Sequence, residues 1–311
     1  MEHVANQYEH VFYTFWMRTQ YRLEPCKSAL NAVRRMPFKW SLNPYMGCVH
    51  RCTFCYVRHF EQRADRPSDD RYGRSIRVKT NVAEVLRRQL GRSSWRRETV
   101  SIGAATDPYQ PAEGRFKLTR ACLVELSNAW TPFSIITRGP LVVRDIDVLQ
   151  EASARAEVGV FFSIPTLDER VWQTTEPGTA PPRSRLEAVR RLSEAGIEVG
   201  VGMAPILPGL SDRPEQLEEV VREARAAGAR SIWANVLYLR PGTREHFLET
   251  LAQDWPEKVS HYEALYATRA YLPSGLAKSI AEPVRRATAV SLSPARRRPI
   301  SSEPRQLALT L

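Results

Sequence analysis

The sequence predicts an α/β protein, a partial (β/α)6 TIM-like barrel with parallel strands, preceded by an N-terminal segment and followed by a basic C-terminal tail. Three observations predict it. Short apolar runs alternate with helical patterns through most of the chain. The runs are apolar throughout, which is typical of parallel strands buried on both faces. Polar clusters follow the runs, where folds of this kind place their chemistry.

The β-α units can be followed along the chain. The predicted strands are residues 40–44, 100–105, 133–137, 158–164, 197–204 and 231–239. The predicted helices are residues 82–90, 118–130, 142–152, 186–195 and 212–228. Gly196 is a natural stop for the fourth helix, and Asp212 is predicted to cap the fifth, with Pro214 in its first turn. The count of six units falls short of a full eight-unit barrel, so right-handed crossovers would build a partial one.

Three domains are predicted. Residues 1–36 form an N-terminal segment, residues 37–275 the barrel, and residues 276–311 a basic tail. The tail is rich in Arg, Ser and Pro without periodicity, which predicts disorder. The first residues lack the basic start of a signal peptide, and no run is long enough to cross a bilayer. A cytoplasmic protein with reduced cysteines is therefore expected.

The net charge is +11 and the sequence pI is about 9.7. A basic balance of this size is compatible with a nucleic-acid partner. Arginines on solvated helix faces explain the same composition. The charge alone therefore leaves the partner open.

Three of the five cysteines, Cys48, Cys52 and Cys55, lie within eight positions after the first predicted strand. Thiolates favour zinc or an iron–sulfur cluster. A [4Fe–4S] cube has four irons, so three cysteines leave one iron open to another ligand. Cys26 lies in the irregular N-terminal segment and Cys122 on the apolar side of a helix, and both are interpreted as structural.

The C-x3-C-x2-C spacing, with Phe54 directly before Cys55, resembles the signature of radical S-adenosylmethionine (radical SAM) enzymes. The stretches NPYMGCVHRCTFCYVR, ATDPYQPAE, ITRG, FSIPT, TEPGT and MAPILPG resemble the spore photoproduct lyase branch, also described as DNA repair photolyase-like. The resemblance covers about residues 27–239. It implies a [4Fe–4S] cluster on the three cysteines, with S-adenosylmethionine on the open iron. Reductive cleavage would then give a 5′-deoxyadenosyl radical that abstracts hydrogen from substrate.

Cofactor-binding residues are predicted at the ends of successive strands: Ala105, Thr106, Asp107, Arg138, Ser163, Thr166, Met203 and Pro205. Thr106 and Asp107 would accept hydrogen bonds from the methionyl ammonium, although Thr-Asp-Pro also forms turns. Arg138 would pair with the methionyl carboxylate, and Ser163 or Thr166 would donate to it. Residues 203–206 would offer apolar surface and backbone to the adenine, although core packing explains their apolar character as well. Glu176, within TEPGT, has no assigned role.

Tyr56 is the candidate catalytic residue. The lyases use tyrosines on both sides of the last cluster cysteine, and here Phe54 replaces one of them. They also return hydrogen from a cysteine just before the Ser/Thr-Asp pair, where this chain has Ala104 and Ala105. Efficient thymine-dimer repair is therefore not expected.

The sequence thus predicts a radical SAM enzyme of unknown substrate, with DNA or RNA as candidates. Its electrons would come from a reductant such as flavodoxin or ferredoxin. One alternative is a radical enzyme that modifies a protein or small molecule. Another is a non-enzymatic, zinc-containing nucleic-acid binding protein in which His50 joins the three cysteines.

Overall fold

The computed structural model of the chain describes residues 19–34 and 36–289. Its strands are β1 (Gln20–Glu24), β2 (Leu30–Ala32), β3 (Trp40–Leu42), β4 (Tyr45–Met46), β5 (Ser75–Lys79), β6 (Val100–Ile102), β7 (Phe133–Thr137), β8 (Val158–Ser163), β9 (Glu198–Ile206) and β10 (Ser231–Val236). Its α-helices are α1 (Val57–Arg63), α2 (Val82–Leu90), α3 (Pro111–Phe116), α4 (Leu118–Asn128), α5 (Ile146–Ser153), α6 (Glu169–Thr175), α7 (Pro182–Glu194), α8 (Pro214–Ala226), α9 (Thr243–Asp254), α10 (Val259–Leu265) and α11 (Ser274–Ala289). Two short 3-10 helices lie at Pro140–Asp145 and Pro256–Lys258.

The main sheet has the strand order β10-β9-β8-β7-β6-β3-β2. Every pairing from β3 to β10 is parallel, and β2 adds an antiparallel strand beside β3. The two outer strands, β2 and β10, do not pair with each other, so the barrel is partial. The predicted α/β class with parallel strands is confirmed, and the carboxyl ends of six parallel strands meet along one edge.

The interior of the sheet is apolar, as the uninterrupted hydrophobic runs predicted. In β9, five consecutive residues from Val199 to Met203 are buried, because helices cover one face and the barrel interior the other. Alternate residues of a strand point to opposite faces, so only a strand covered on both sides shows this pattern. Each fully buried aliphatic side chain contributes about 1.5 to 3 kcal/mol.

A second, three-stranded sheet in the order β1-β5-β4 was not predicted. β5 pairs in parallel with β1 and antiparallel with β4. β4 has two residues, too few for a periodic pattern. Because Met46 ends β4 two residues before Cys48, this small sheet fixes where the cysteine-bearing segment leaves the fold.

Some predicted boundaries differ from the structure. Strand β6 ends at Ile102 because Gly103 takes a left-handed φ of 93° as the chain leaves the sheet. The helix predicted at residues 142–152 begins as the 3-10 helix Pro140–Asp145. Arg213, not Asp212, occupies the cap position of α8, and Asp212 Oδ1 instead accepts a hydrogen bond from Gly209 N at 2.8 Å.

The largest difference concerns the predicted tail. Helix α11 occupies residues 274–289 and packs against α8 and β10. Its Val284 is 2% exposed and belongs to the barrel core, so this part is not a disordered tail. Residues 290–311 and 1–18 lie outside the described residues. None of the helices in the described ranges combines the length and the apolar composition that a bilayer crossing requires.

Candidate active site

A pocket opens where the carboxyl ends of β6 and β7 face the segment after β4. Its lining residues are Cys48, His50, Arg51, Cys52, Cys55, Tyr56, Val57, Tyr72, Gly103, Ala104, Thr106, Asp107, Ile136, Thr137 and Arg138. We call it the cysteine pocket, and residues 47–56 the cysteine loop. The three predicted metal ligands and Tyr56, Thr106, Asp107 and Arg138 are thus brought together.

The thiols of the cysteine loop are free. Burial raises the pKa of the Cys52 thiol and of the Cys55 thiol above the ordinary value. In the described part of the chain, no three His, Cys, Asp or Glu side chains converge as they would around one bound ion. A cluster takes one thiolate on each of three irons, so it needs thiols around a pocket rather than at one point. The three cysteines, which line one pocket without converging on one point, therefore fit an iron–sulfur cluster.

The pocket holds no thiol beyond these three among the residues that line it. Cys122 is fully buried in the barrel core, and Cys26 packs against the same core. The position before Thr106 is Ala105, whose backbone N donates to Asn43 Oδ1 at 2.9 Å. A cysteine hydrogen donor of the lyase kind is therefore absent from the lining.

Gln110, which was not predicted from the sequence, binds the cysteine loop through its side-chain amide. Its Nε2 donates to Gly47 O at 3.1 Å and to Thr106 Oγ1 at 2.9 Å, while its Oε1 accepts from Val49 N at 3.1 Å. Thr106 Oγ1 itself donates to Gly47 O at 2.6 Å. The Thr106 hydroxyl is thus engaged in supporting the loop.

Asp107 is equally engaged. Its carboxylate accepts hydrogen bonds from Tyr109 N at 2.8 Å, Thr137 Oγ1 at 2.7 Å and Arg138 N at 2.6 Å. Burial opposes its charge, but His50 and these donors outweigh burial and lower the pKa of Asp107 to about 2. The carboxylate joins the segment after β6 to the end of β7, and its role toward an ammonium group stays a prediction.

His50 is part of the site and lines the cysteine pocket. Its Nδ1 lies 3.3 Å from Asp107 Oδ2, although the contact is not aligned as a hydrogen bond. Burial disfavours the imidazolium, but Cys48 and Asp107 outweigh burial and raise the pKa of His50 to about 10. The histidine therefore supplies a positive charge beside the buried carboxylate.

Arg138 pairs with Glu176, the residue without an assigned role. Arg138 Nε donates to Glu176 Oε1 at 2.6 Å, and its Nη2 donates to Ala204 O at 3.1 Å. Arg185 Nη2 lies 2.7 Å from the other Glu176 oxygen, a close ion pair although not aligned as a hydrogen bond. Burial would raise the pKa of Glu176, but the two arginines lower it. Glu176 and Ala204 O thus fix the orientation of the Arg138 guanidinium, which also lines the cysteine pocket.

The rest of the TEPGT stretch supports the cysteine loop directly. Thr53 N donates to Thr175 O at 2.9 Å, and Gly178 N donates to His50 O at 3.1 Å. A Cβ added at Gly178 would lie 2.3 Å from Val49 O. The two backbones can approach this closely only because residue 178 has no side chain.

The remaining predicted residues do not line the cysteine pocket. Ser163 is buried, and its carbonyl accepts from Arg185 Nη1 at 2.8 Å. Thr166 Oγ1 accepts from Asp168 N at 3.0 Å. Met203 is fully buried in the core, which favours the core-packing explanation of that residue. Pro205 follows a cis peptide bond and is partly exposed.

Tyr56, which lines the pocket, belongs to a row of aromatic rings. We call this row, Tyr56, Phe60, Tyr238 and Tyr271, the aromatic rim. Tyr56 donates its hydroxyl to Ala104 O and meets Phe60 edge-on, with ring centroids 6.1 Å apart. Its ring lies 6.4 Å from that of Tyr238, which stacks on Tyr271 at 4.8 Å. Tyr56 is 39% exposed, Phe60 44% and Tyr271 52%, so these rings present apolar surface to solvent.

The chain is similar to a known family and to several known proteins. The family model of the radical SAM superfamily matches residues 42–224, more than half of the chain. An uncharacterized protein of Mycobacterium tuberculosis is 40% identical over 262 residues, which cover 83% of this chain and 77% of that protein. An uncharacterized protein of Acidianus two-tailed virus is 31% identical over 224 residues, covering 68% and 71%.

Solved structures share the fold at low sequence identity. A mutant of spore photoproduct lyase with dinucleoside spore photoproduct superimposes with a TM-score of 0.66, at 15% identity, over 87% of this chain and 79% of that one. Another mutant of that lyase, with bound AdoMet and dinucleoside spore photoproduct, gives a TM-score of 0.63 at 16% identity with the same coverage. These likenesses concern the architecture.

Proposed function

The chain belongs to the radical SAM superfamily and is an enzyme of that class, and we propose that it modifies nucleic acid by hydrogen abstraction. In this proposal Cys48, Cys52 and Cys55 hold a [4Fe–4S] cluster whose fourth iron takes S-adenosylmethionine. The supporting observation is that three free thiols line one pocket at the carboxyl ends of the parallel strands.

When bound, the cluster would pass one electron from an external reductant to S-adenosylmethionine, which would supply the 5′-deoxyadenosyl radical and leave methionine. The chain's own residues position them. The edge of Arg138 that faces the pocket would pair with the methionyl carboxylate, while its other edge stays fixed on Glu176 and Ala204 O. The backbone of residues 103–107 would lie along the methionyl amino group. Tyr56 lines the pocket and would limit the entry of water to the bound cofactors.

Anaerobic reconstitution tests the cluster. The wild-type chain should take up close to four irons and four sulfides, and reduction should give an EPR signal that S-adenosylmethionine alters. Alanine at Cys48, Cys52 or Cys55 should abolish uptake. Alanine at Cys26 or Cys122 should not, because neither thiol lines the pocket. A wild-type chain that binds one zinc and refuses iron would contradict the proposal.

The substrate class is proposed from the aromatic rim together with the positive charge. Bases stack on exposed aromatic side chains at about 1 to 3 kcal/mol per base, and every base offers a ring face. Tyr271 is half exposed and stacks on Tyr238, and Arg240 Nη2 donates to its hydroxyl at 3.1 Å. A strand that entered the pocket would thus cross a row of rings beside an arginine.

Binding of a labelled single-stranded oligonucleotide tests the substrate class. Tyr271→Ala should weaken binding about 5- to 150-fold, the loss of one stacked base. Trp130→Ala is the matched control, since Trp130 is 36% exposed but lies just before β7, at the opposite end of the sheet. Equal binding by wild type and Tyr271→Ala would favour a protein or small-molecule substrate instead.

A further inference from the structure

Arg58 is a fully buried arginine three residues after the last cysteine of the loop. Its Nη1 donates to Ser68 O at 2.7 Å and to Asp69 O at 2.5 Å. Its Nε donates to Cys52 O and its Nη2 to Arg51 O, both at 3.4 Å. Every one of these acceptors is a backbone carbonyl, and two of them belong to the cysteine loop.

Arg58 has no carboxylate partner among the described residues, since no Asp or Glu oxygen lies within 4.0 Å of it in residues 19–34 and 36–289. Arg185 is equally buried but pairs with Glu176. An uncompensated buried charge is costly, and a cluster held by the cysteine loop would place negative charge beside Arg58, whose Nε donates to Cys52 O.

Tyr72 connects Arg58 to the cysteines. The Arg58 guanidinium lies over the Tyr72 ring, 4.8 Å from its centroid. The Tyr72 hydroxyl lies 3.8 Å from Cys55 Sγ, within contact range for a sulfur. Tyr72 is 3% exposed and Arg58 is fully buried, so solvent screens neither side chain. A thiolate can only accept, so the phenol would be the donor.

We propose that Arg58 and Tyr72 are positioning residues that raise the reduction potential of the cluster. This rests on the proposed function. Reduction adds negative charge to a group already held by three thiolates, and a buried positive charge nearby favours that step. A hydrogen bond to a ligating sulfur acts in the same direction. The pair would therefore help the enzyme to accept the electron on which its chemistry depends.

The reduction potential of the cluster distinguishes the proposed electrostatic role of Arg58 from a merely structural role. Arg58 also ties the cysteine loop to residues 68–69, so its loss would lower stability in either case. Only the electrostatic role predicts that charge at residue 58 moves the potential. We therefore compare the full-length, reconstituted wild type with Arg58→Met, Arg58→Lys and Tyr72→Phe. The control Arg63→Met changes an exposed arginine on the same helix, α1.

The midpoint potential is measured by an EPR-monitored redox titration, with iron and sulfide content for each chain. Arg58→Met should shift the midpoint to lower potential, and Tyr72→Phe should shift it less in the same direction. Arg58→Lys should stay nearer the wild type because it keeps the charge. Arg63→Met should leave the midpoint unchanged.

A fully loaded Arg58→Met with the wild-type midpoint would overturn the inference, as would an Arg58→Lys that falls as far as Arg58→Met. If Arg58→Met holds no iron, the midpoint potential of Tyr72→Phe tests the proposal instead, because this variant removes only the hydroxyl beside Cys55. An unchanged midpoint in Tyr72→Phe would then contradict the proposal. A wild-type chain that takes up no iron would overturn the proposed function and, with it, this inference.

Discussion

Single residues decide how tightly the cysteine loop is held, and Gly178 is the clearest case. Its missing side chain lets two backbones approach, and an added Cβ would lie 2.8 Å from His50 Cα as well as 2.3 Å from Val49 O. These neighbours are backbone atoms, which cannot move aside as the end of a flexible side chain can. Gly178→Ala should therefore lower stability by about 1 to 3 kcal/mol and displace the loop. Iron content and the thermal midpoint should both fall.

Gly275→Ala is the control for this substitution. A Cβ at residue 275 meets no atom within 4 Å, and the residue lies in the first turn of α11. Alanine favours a helix over glycine, so this variant should be neutral or up to about 1 kcal/mol more stable. Wild-type iron content in Gly178→Ala would contradict the close-approach argument.

Glu176 gives a second prediction at this scale. It is 1% exposed and lies between Arg138 and Arg185, so Glu176→Gln leaves two arginines without their common counter-charge. Breaking a buried pair in this way costs about 3 to 5 kcal/mol. We expect a lower thermal midpoint and, because Arg138 loses its fixed orientation, weaker binding of S-adenosylmethionine by calorimetry.

The matched control is Glu187→Gln, which removes a carboxylate from the exposed pair with Arg190 on α7. Exposed pairs of this kind are screened by solvent, so Glu187→Gln should change neither the thermal midpoint nor the cofactor affinity appreciably. If both variants retained wild-type stability and cofactor affinity, Glu176 would not be the support of Arg138.

Sequence reasoning found the residues whose spacing is local and missed those whose partners are remote. Cys48, Cys52 and Cys55 lie close in sequence and bear a recognisable chemistry. By contrast, the backbone contact between Thr53 and Thr175 joins residues 122 positions apart. A glutamate or glutamine that supports a distant loop has no periodic or compositional mark, so the role of Glu176 and the importance of Gln110 could be identified only in three dimensions.

Among the elements, the helices and the buried parallel strands were predictable because burial on two faces leaves continuous apolar runs. Helix α2 and strand β7 have the predicted bounds. The small sheet of β1, β4 and β5 was missed because its strands have at most five residues and lack the continuous apolar runs of the main sheet. Helix α11 was missed because Arg, Ser and Pro dominate the neighbouring sequence, and Pro283 lies inside the helix itself.

The packing of α11 can be tested at one position. Val284 is 2% exposed in the barrel core, so Val284→Asp would bury a carboxylate without a partner, at a cost of several kcal/mol. The thermal midpoint should fall clearly. Leu276→Asp is the control on the same helix, because Leu276 is 39% exposed and should tolerate the charge. Equal midpoints for the two variants would mean that α11 is not part of the folded core.

At the scale of the whole molecule, two features of different range bear on the substrate. The net charge of +11 attracts a polyanion over a distance and does not distinguish one base from another, whereas the aromatic rim binds a base only on contact. A polyanion bound by charge releases counterions, so its affinity falls steeply as salt rises. Stacking on the rim does not depend on counterions. The two contributions should therefore separate in a salt titration.

The separation can be measured with a labelled single strand and fluorescence anisotropy across a salt series. Arg296, Arg297 and Arg298 lie outside the described residues, and replacing all three with Gln should reduce the slope of log affinity against log salt by about 2, at about 0.7 per phosphate contact. Tyr271→Ala should lower affinity at every salt concentration and leave the slope unchanged. The triple variant should still cleave S-adenosylmethionine at the wild-type rate, because the described residues that line the cysteine pocket lie between Cys48 and Arg138. A slope that the triple variant leaves unchanged would place the phosphate contacts on the barrel, and no binding even at low salt would favour a protein or small-molecule substrate.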